Sequence, residues 1–372
     1  MEKQQSKLEH WIKTSITARM LMIGFLILIM LIPLYYVQNL IKERSNRQAS
    51  VVDEINEKWG EEVLLYGPIL KIPYKTYSEK IITNAEDESV RKEQIEHINY
   101  AYFFPKDLDV DATINPEEKR RGIYKTSVYQ GEIAIVGNFE KPNFNPIDVS
   151  DKDILWNKST VVIKTSNLKG INNQVAININ GQRYSFLPQY EETNNLLYDE
   201  IVLNKLETEF IDKKVLPTAL DSPFSLNFNM SGSKQIRIVP IGKATQMNIQ
   251  SNWKTANFVG NFLPFNSDKI TEDGFDAKWK VLHINRPFSQ QYFKALPNLK
   301  QYAFGVNFMI PVDEYQKSER STKYGFLVIS LTFLIFFLIQ SISRINIHPF
   351  QYLMIGLALT MFYSLLISIS EH

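Results

Sequence analysis

Three long stretches without a single Asp, Glu, Lys or Arg residue constrain what this chain can fold into more than any other feature. They are Met20 to Leu40, Tyr324 to Ser343 and Phe350 to Ser370, and each is 20 or 21 residues long. The hydrocarbon core of a bilayer is about 30 Å thick, and an apolar helix of roughly 20 residues crosses it. The sequence therefore predicts three transmembrane helices and excludes a wholly water-soluble protein, although the mean hydropathy of -0.19 resembles that of one.

The first apolar stretch has the features of an uncleaved anchor. Its run to Val37 is longer than the apolar core of a typical signal peptide, and the exit from Tyr35 to Gln38 lacks the small residues of a cleavage site. We therefore predict a tail at 1–19 and an anchor helix at 20–41. A short interfacial helix in the tail is indicated by apolar residues at helical spacing, Leu8, Trp11, Ile12 and Ile16.

A juxtamembrane helix is predicted at 42–60. Apolar residues recur there at helical spacing among charged ones, and Gly60 is a natural end for a helix. The apolar face of this helix either packs on the chain's own domain or docks onto a partner, and the pattern leaves both interpretations open.

The last two apolar stretches predict a pair of antiparallel transmembrane helices at 324–343 and 350–370, because the loop at 344–349 between them is short. Small or hydroxyl-bearing residues recur every four positions in the last helix and favour either close packing of another helix or a polar stripe facing lipid. These residues are Gly356, Thr360, Ser364 and Ser368. The three spans contain no Asp, Glu, Lys, Arg or His, which favours anchors over a proton or ion pathway.

Charge and cysteine content exclude several classes of function. The 41 Lys and Arg residues are balanced by 40 Asp and Glu residues, so nucleic acid is not an expected partner. The absence of Cys excludes disulfides, thiolate zinc sites, iron–sulfur clusters and cysteine nucleophiles. Basic residues are nearly balanced on the two sides of the spans, so their count does not decide the orientation in the membrane.

The segment at 61–323 is predicted to form one large β domain. From Val63 onward, short β-branched and aromatic runs are separated by Gly, Pro, Asn and Asp, as in an antiparallel sandwich or barrel. Asn180-Gly181 between two alternating runs predicts a hairpin with a type I′ turn. The polar stretch from Ser78 to Glu96 is predicted to be an exposed excursion without an ordered strand.

An internal repeat suggests duplication within this domain. Val136 to Phe139 recurs as Val259 to Phe262, and the ungapped match extends to Trp156 and Trp279. We interpret the repeat as two β modules, at about 98–170 and 224–311. Each module would have a turn at Gly-Asn, a buried Phe and a Trp that opens the next strand. The two Trp residues are interpreted as core residues, and a paired binding surface is the alternative.

No catalytic, cofactor-binding or metal-binding residues are predicted. The five His residues are scattered and lack the spacing of a metalloprotease, and no phosphate-binding loop or nucleophile elbow occurs. They are His10, His97, His283, His348 and His372. Ser231-Gly232-Ser233 is interpreted as a turn between strands. A charged cluster before the second span is either a solvated cap or a docking site, and it contains Asp313, Glu314, Glu319 and Arg320.

Several motifs in order along the chain resemble one known family. The N-terminal ones are Ile32-Pro33-Leu34, Leu40 to Arg44, Arg47-Gln48, Val51 to Ile55, Trp59-Gly60, Gly67 to Leu70 and Ile72 to Tyr74. The later ones are Arg121 to Tyr124, Val259 to Pro264, Gly274 to Trp279, Asp313 to Gln316, Arg320 to Gly325, Leu331 to Phe333, His348 to Tyr352 and Gly356 to Leu359. With these motifs the chain resembles the CreD family of bacterial inner-membrane proteins linked to cell-envelope integrity.

The resemblance implies a multi-pass protein of the bacterial inner membrane with an N-terminal anchor, a large periplasmic domain and a cluster of C-terminal helices. The tail at 1–19 and the loop at 344–349 would then be cytoplasmic, and the domain at 61–323 would be periplasmic. Together with the strand patterns, this predicts a membrane-anchored, mainly β protein whose large domain is antiparallel and sandwich-like. Further spans are expected in relatives after the region from Ser368 to His372.

The combination of a large β domain, membrane anchors and no recognisable catalytic set favours a non-enzymatic envelope protein. The periplasmic domain would interact with envelope components, and the partners would be the lipid bilayer and an unknown envelope protein or lipid, with no cofactor. A membrane-tethered enzyme acting on cell-wall or lipid material is the alternative. A permease subunit is a third possibility.

Overall fold

A computed structural model describes residues 15–83, 90–190, 201–216, 221–308, 310, 314–343, 345 and 347–370. The described residues divide into two compact units. The helical unit comprises Met1–Asp53, Arg120–Tyr124 and Pro311–His372, and the β unit comprises Glu54–Lys119 and Lys125–Ile310.

Four α-helices are present in the described chain. They are α1 (Ile16–Trp59), α2 (Glu314–Lys323), α3 (Gly325–Ser343) and α4 (Pro349–Ser370). The predicted anchor and juxtamembrane helices are one continuous helix of 44 residues. It ends at Gly60, as expected, because φ of that residue is +134° and its N–H still donates to Asn56 O at 2.8 Å. The interfacial helix predicted in the tail lies mostly outside the described residues.

The strands make up 42% of the described residues. They are β1 (Val63–Thr83), β2 (Val90–Phe103), β3 (Asp107–Arg121), β4 (Tyr124–Phe139), β5 (Thr160–Thr165), β6 (Ala176–Ile179), β7 (Gln182–Gln189), β8 (Asn204–Thr208), β9 (Ser222–Ser233), β10 (Gln235–Ile238), β11 (Ala244–Ser251), β12 (Ala256–Val259), β13 (Ile270–Thr271), β14 (Gly274–Leu282), β15 (Gln291–Phe293) and β16 (Phe304–Phe308). The mainly β, membrane-anchored fold predicted from the sequence is therefore confirmed.

The strands form one nearly closed sheet. Their order is β12-β16-β10-β1-β5-β8-β7-β6-β9-β4-β3-β11-β14-β13, with β2 beside β1 and β15 beside β2. Most neighbours are antiparallel, but β1 with β10 and β3 with β11 are parallel. Strand β7 pairs with β6 through its first half and with β8 through its second half. It therefore continues the sheet from one face, which contains β6, to the opposite face, which contains β8.

The core of the β unit lies between these faces and follows the period of two along the strands. In β14 the residues from Ala277 to Val281 are alternately buried and exposed, and Trp279 is 1% exposed. The Asn180-Gly181 hairpin is confirmed, because φ is 49° at Asn180 and 83° at Gly181. Both angles are positive, as a type I′ turn requires.

The exposed excursion predicted between Ser78 and Glu96 is wrong in part, because β1 and β2 continue through most of it. Their pairing runs from Leu70 with Phe103 to Thr83 with Val90. The two strands form an exposed ribbon that lacks alternating apolar residues and is held instead by ion pairs between the strands. Lys75 Nζ lies 2.8 Å from Glu96 Oε2, and Lys92 Nζ lies 2.8 Å from Glu79 Oε2. Residues 84–89 lie outside the described chain.

The two repeated segments have different local structures. The turn predicted at Gly137-Asn138 is wrong, because these residues pair with Phe224 and Pro223 inside the sheet. Trp156 begins a short 3₁₀ turn, whereas Trp279 lies in the middle of β14, so neither opens a strand. Both Trp side chains are buried, as expected of core residues. The two modules remain an interpretation of the sequence alone.

The helical unit packs α1, α3 and α4 together. Helices α3 and α4 run antiparallel, since Gly325 approaches Tyr363 while Tyr352 Oη donates to Gln340 Oε1 at 3.0 Å. Gly356 lies against Met30 and Phe333, which confirms close packing at that position. Ser364 and Ser368, from the same repeat of small residues, are exposed. By length and composition α1, α3 and α4 could each cross a membrane.

Candidate functional site

A cleft of about 360 Å³ in the β unit is the strongest candidate for a binding site. We call it the aromatic cleft. It is lined by Phe103, Phe104, Glu140, Lys141, Asn143, Lys243, His283, Phe288, Ser289, Gln290 and Gln291. These residues come from separate parts of the chain: the end of β2 and the residue after it, the segment after β4, the residue before β11, and the stretch from the end of β14 to the start of β15.

The floor of the aromatic cleft is formed by packed rings. Phe103 ends β2 opposite Gln291 of β15, and its ring centroid is 5.3 Å from that of Phe144. Phe104 is 6.4 Å from Phe288 in an edge-to-face arrangement. Phe103 and Phe104 are buried, and Phe288 is half-buried. The floor therefore offers apolar ring surface held in place by neighbouring rings.

Arg286 fixes the segment that forms one wall of the cleft. Its guanidinium donates to Phe288 O at 2.8 Å, to Ile241 O at 3.1 Å and to Gly242 O at 3.2 Å, and it also contacts Gln290. The guanidinium carbon lies 4.1 Å from the centroid of the Phe288 ring.

Burial lowers the pKa of Arg286 to about 10, so the group stays charged at neutral pH. Its multiple acceptors compensate the cost of burying that charge. Arg286 is therefore a structural support for the cleft.

The rim of the cleft is polar and carries both signs of charge. Lys243 Nζ lies 3.6 Å from Glu140 Oε1, and both side chains are more than a third exposed. Gln290 Nε2 donates to Pro105 O at 2.7 Å and to Ile241 O at 3.0 Å. Lys141 and His283 are exposed at the edge. An apolar floor with a polar, amide-rich rim can hold a polar molecule that has one apolar face.

A second cleft of about 290 Å³ lies beside Phe265 on β3, β11 and β14. Asp109 and Asp111 line it together with Lys278. Burial raises the pKa of Asp109 above its ordinary value, and the charges of Asp107 and Asp111 act in the same direction. This cleft has less apolar floor than the aromatic cleft.

Glu207 is the centre of a third group of charges, which joins strands. Glu207 Oε1 lies 2.8 Å from Lys71 Nζ and 2.6 Å from Thr160 Oγ1, and Oε2 lies 3.0 Å from Lys205 Nζ. Burial alone would raise the pKa of Glu207. Hydrogen bonds from Lys71, Thr160 and Lys205, together with the charge of Lys71, outweigh it and hold the pKa below the ordinary glutamate value. The group links β1, β5 and β8 and opens into neither cleft.

The histidines within the described chain are not brought together. His97 Nε2 lies 2.8 Å from Ser78 Oγ on the exposed ribbon, and His348 Nδ1 accepts from Phe350 N at the start of α4. His283 lines the aromatic cleft and begins a 3₁₀ turn after β14. His10 and His372 lie outside the described residues. In the part of the chain that the structure describes, no three His, Asp or Glu residues form a metal-binding group.

Two other sequence predictions can be placed. Ser231 to Ser233 lie inside β9, so the predicted turn is wrong. Ser231 Oγ accepts a hydrogen bond from Asn172 Nδ2 at 2.9 Å. Gly232 leaves room for the Tyr129 ring. Glu319 and Arg320 are exposed on α2, whereas Asp313 lies outside the described residues. The aromatic cleft was not predicted from the sequence. The aromatic and amide run from Phe288 to Phe293 was the signal that could have indicated it.

Comparison with known proteins gives one consistent result. Residues 15–372 match the model of a family described as Inner membrane protein CreD. The chain is also 29% identical to the Inner membrane protein CreD of Escherichia coli strain K12 over 351 residues. The aligned region covers 93% of this chain and 73% of that protein. The chain therefore belongs to the CreD family of inner membrane proteins.

Proposed function

We propose that this protein crosses the inner membrane with α1, α3 and α4, exposes its β unit to the periplasm, and contributes to envelope integrity by binding an envelope component in the aromatic cleft. The role is that of a binding protein and not of an enzyme. The observation that carries the proposal is the aromatic cleft itself, in which buried rings are combined with a polar rim and a rigid support at Arg286.

The chemistry of the rim supports binding over catalysis. General acid–base catalysis of hydrolysis commonly uses a pair of carboxyl groups or an oriented His. Among the lining residues Glu140 is the one carboxylate, and it lies beside Lys243. The polar groups can instead donate hydrogen bonds to a saccharide, a peptide or a lipid headgroup, and accept hydrogen bonds from it.

An enzyme acting on cell-wall or lipid material is the second candidate. One observation favours it, since His283 and Glu140 line the same cleft. The variants His283→Ala and Glu140→Gln separate the two functions. A binding protein should retain crosslinking to its partner in at least one of them, whereas an enzyme that uses both groups should lose turnover in each.

Crosslinking in intact cells tests the proposed function. A photoreactive amino acid replaces Ser289 at the exposed edge of the cleft, and the matched control replaces Lys213, which is exposed in the β unit outside the cleft. We expect an envelope protein, lipid or cell-wall fragment to be recovered from the Ser289 position and to be reduced by Phe288→Ala. Equal recovery from both positions, or no envelope component from Ser289, would contradict the proposal.

A further inference from the structure

Three segments of the helical unit meet at one level of α1. Gln38 Nε2 donates to Thr322 O at 3.3 Å, which places the end of α2 beside α1. The buried Tyr124, at the tip of the β3–β4 hairpin, packs on Ile41. Gln38 and Ile41 are three residues apart, or about 4.5 Å along the helix axis. The end of α2 and the hairpin tip therefore meet α1 within about one helical turn.

This level coincides with the end of the apolar spans. The apolar stretch of α1 ends at Leu40, and that of α3 begins at Tyr324. Three exposed aromatic side chains, Tyr35, Tyr36 and Tyr324, lie close to these boundaries. Exposed Tyr residues at the ends of apolar helices are typical of the interface between hydrocarbon and headgroups.

All three segments carry basic side chains within about two helical turns of this level along the chain. We call them the basic collar, which consists of Lys42, Arg44, Arg47, Arg120, Arg121, Lys317, Arg320 and Lys323. The carboxylates between the first and last basic residue of each segment are Glu43 and Glu319, and Glu117, Glu118 and Glu314 lie just outside. Eight basic residues therefore stand against five carboxylates, and positive charge is in excess. All members of the collar except the half-buried Arg44 are exposed.

The hairpin tip adds an apolar contact to this charge. Ile123 is 44% exposed between the basic Arg121 and the buried Tyr124. Gly122 supplies the turn with φ of +61° and has open space around it. A tip that presents an aliphatic side chain beside two Arg residues suits the boundary between acyl chains and phosphates.

From this arrangement we infer that the basic collar is a binding site for the headgroups of anionic phospholipids. The long Lys and Arg side chains reach the phosphates, and guanidinium groups can bind phosphate oxygens through two hydrogen bonds. The apolar spans below hold the acyl chains of the same lipids. The inference applies to either orientation of the protein, because it depends on the depth of the collar and not on the side of the membrane.

The test uses the whole chain purified in a zwitterionic detergent. Thermal unfolding is followed while phosphatidylglycerol or phosphatidylcholine is added at equal concentration, and native mass spectrometry counts the bound lipids. We expect phosphatidylglycerol to raise the unfolding temperature more than phosphatidylcholine does, and high salt to remove the difference. Equal effects of the two lipids would overturn the inference.

A triple variant localises the effect. Lys42→Gln, Arg121→Gln and Lys323→Gln together remove one charge from each segment, and the matched control, Lys158→Gln, Lys213→Gln and Lys214→Gln, removes three exposed charges of the β unit. We expect the collar variant to lose at least half of the phosphatidylglycerol shift and the control to keep it. Loss of the shift in both variants alike would contradict a site at the collar.

Two control experiments separate charge from misfolding, and lipid from a free anion. The first control is a charge-retaining variant, Lys42→Arg, Arg121→Lys and Lys323→Arg. It should keep the rise in unfolding temperature that phosphatidylglycerol causes, because it keeps the three positive charges that the Gln variant removes. Inorganic phosphate should give no shift. If phosphate alone reproduces the effect of phosphatidylglycerol, the collar binds a free anion and the lipid inference is wrong.

Discussion

The helical unit and the β unit place apolar and polar side chains in opposite ways. In the β unit large apolar residues such as Trp279 and Phe304 are buried, and the faces of the outer strands are polar. In the helical unit many large apolar residues are exposed, with Ile342 at 80%, while Gln340 is only 4% exposed and bonds Tyr352. Each unit matches a different solvent, water for one and hydrocarbon for the other.

Because of this contrast, the average composition of the chain describes neither unit. Exposed Leu and Ile side chains in water would form a large apolar patch, yet in lipid they are fully solvated. Some buried polar groups of the helical unit bond one another or the backbone, as where Thr360 Oγ1 donates to Gly356 O at 2.9 Å. Substitutions should therefore have effects that depend on the unit in which they occur.

Removing a ring from the core of the β unit should have the largest effect. Trp279 packs against Phe258 and Phe304, each with centroids 5.7 Å away, and its Nε1 donates to Phe262 O at 3.1 Å. We expect Trp279→Ala to lower the free energy of unfolding by about 3 to 5 kcal/mol. Chemical denaturation of the whole chain in detergent, followed by the β signal in circular dichroism, measures it.

A matched substitution keeps that test specific to the core. Ile284 is exposed, so Ile284→Ala should change the free energy of unfolding by less than about 0.5 kcal/mol. Trp156→Ala should also destabilise the protein, because this side chain is buried against Phe144. Wild-type stability in Trp279→Ala would show that the core is placed wrongly.

The helical unit should be sensitive to added volume at its close contacts. A Cβ atom at Gly356 would lie 2.6 Å from Met30 Sδ and 3.0 Å from Phe333 Cζ, whereas one at Gly24 would have no neighbour within 4 Å. We expect Gly356→Leu to destabilise the unit by about 2 kcal/mol and Gly24→Leu to be neutral or slightly stabilising. The thermal stabilities of the two variants are compared by heating each in detergent and following the loss of the helical circular dichroism signal. Equal stability of the two variants would argue against the packing of α1 on α4.

The Glu207 group should make the β unit sensitive to acid. Because the pKa of Glu207 is lower in the folded state than in the unfolded state, its contribution is complete above the ordinary glutamate pKa and is lost as the pH falls through the folded value. We expect Glu207→Gln to cost about 1 to 2 kcal/mol at neutral pH. The difference from the wild type should shrink on acidification. Denaturation at several pH values checks this, and a difference that does not depend on pH would refute the role of the charge.

The smallest effect is expected on the exposed ribbon of β1 and β2. Lys92 and Glu79 are both exposed, and solvent weakens their attraction. We expect Lys92→Ala to change the free energy of unfolding by less than about 0.5 kcal/mol. A larger loss, measured by the same denaturation, would mean that the ribbon is more strongly coupled to the core than its exposure indicates.

Local sequence signals predicted the elements that depend on local physics. Absence of charge indicated the three apolar helices, Gly60 marked the end of α1, and Asn180-Gly181 predicted its hairpin. The ribbon was missed because its stabilisation comes from ion pairs across strands such as Lys75 with Glu96, which no periodicity of apolar residues reports.

Long-range features could not be predicted in the same way. The strand pair β3 with β11 joins residues more than 130 positions apart and is parallel, so no turn signal marks it. The aromatic cleft likewise depends on Arg286 reaching Ile241 and on Phe104 meeting Phe288. The family resemblance indicated the kind of protein, but it gave no residue of this cleft.

Cysteine labelling in intact cells is the decisive test of whether the β unit lies outside the cytoplasm. The chain contains no Cys, so a single Lys213→Cys in the β unit or Ile345→Cys between α3 and α4 reports one site without background. A maleimide that crosses the outer membrane but not the inner one should label Lys213→Cys in intact cells and Ile345→Cys only after the inner membrane is permeabilised. The reverse pattern would contradict the proposed orientation, and labelling of both sites in intact cells would contradict the paired spans.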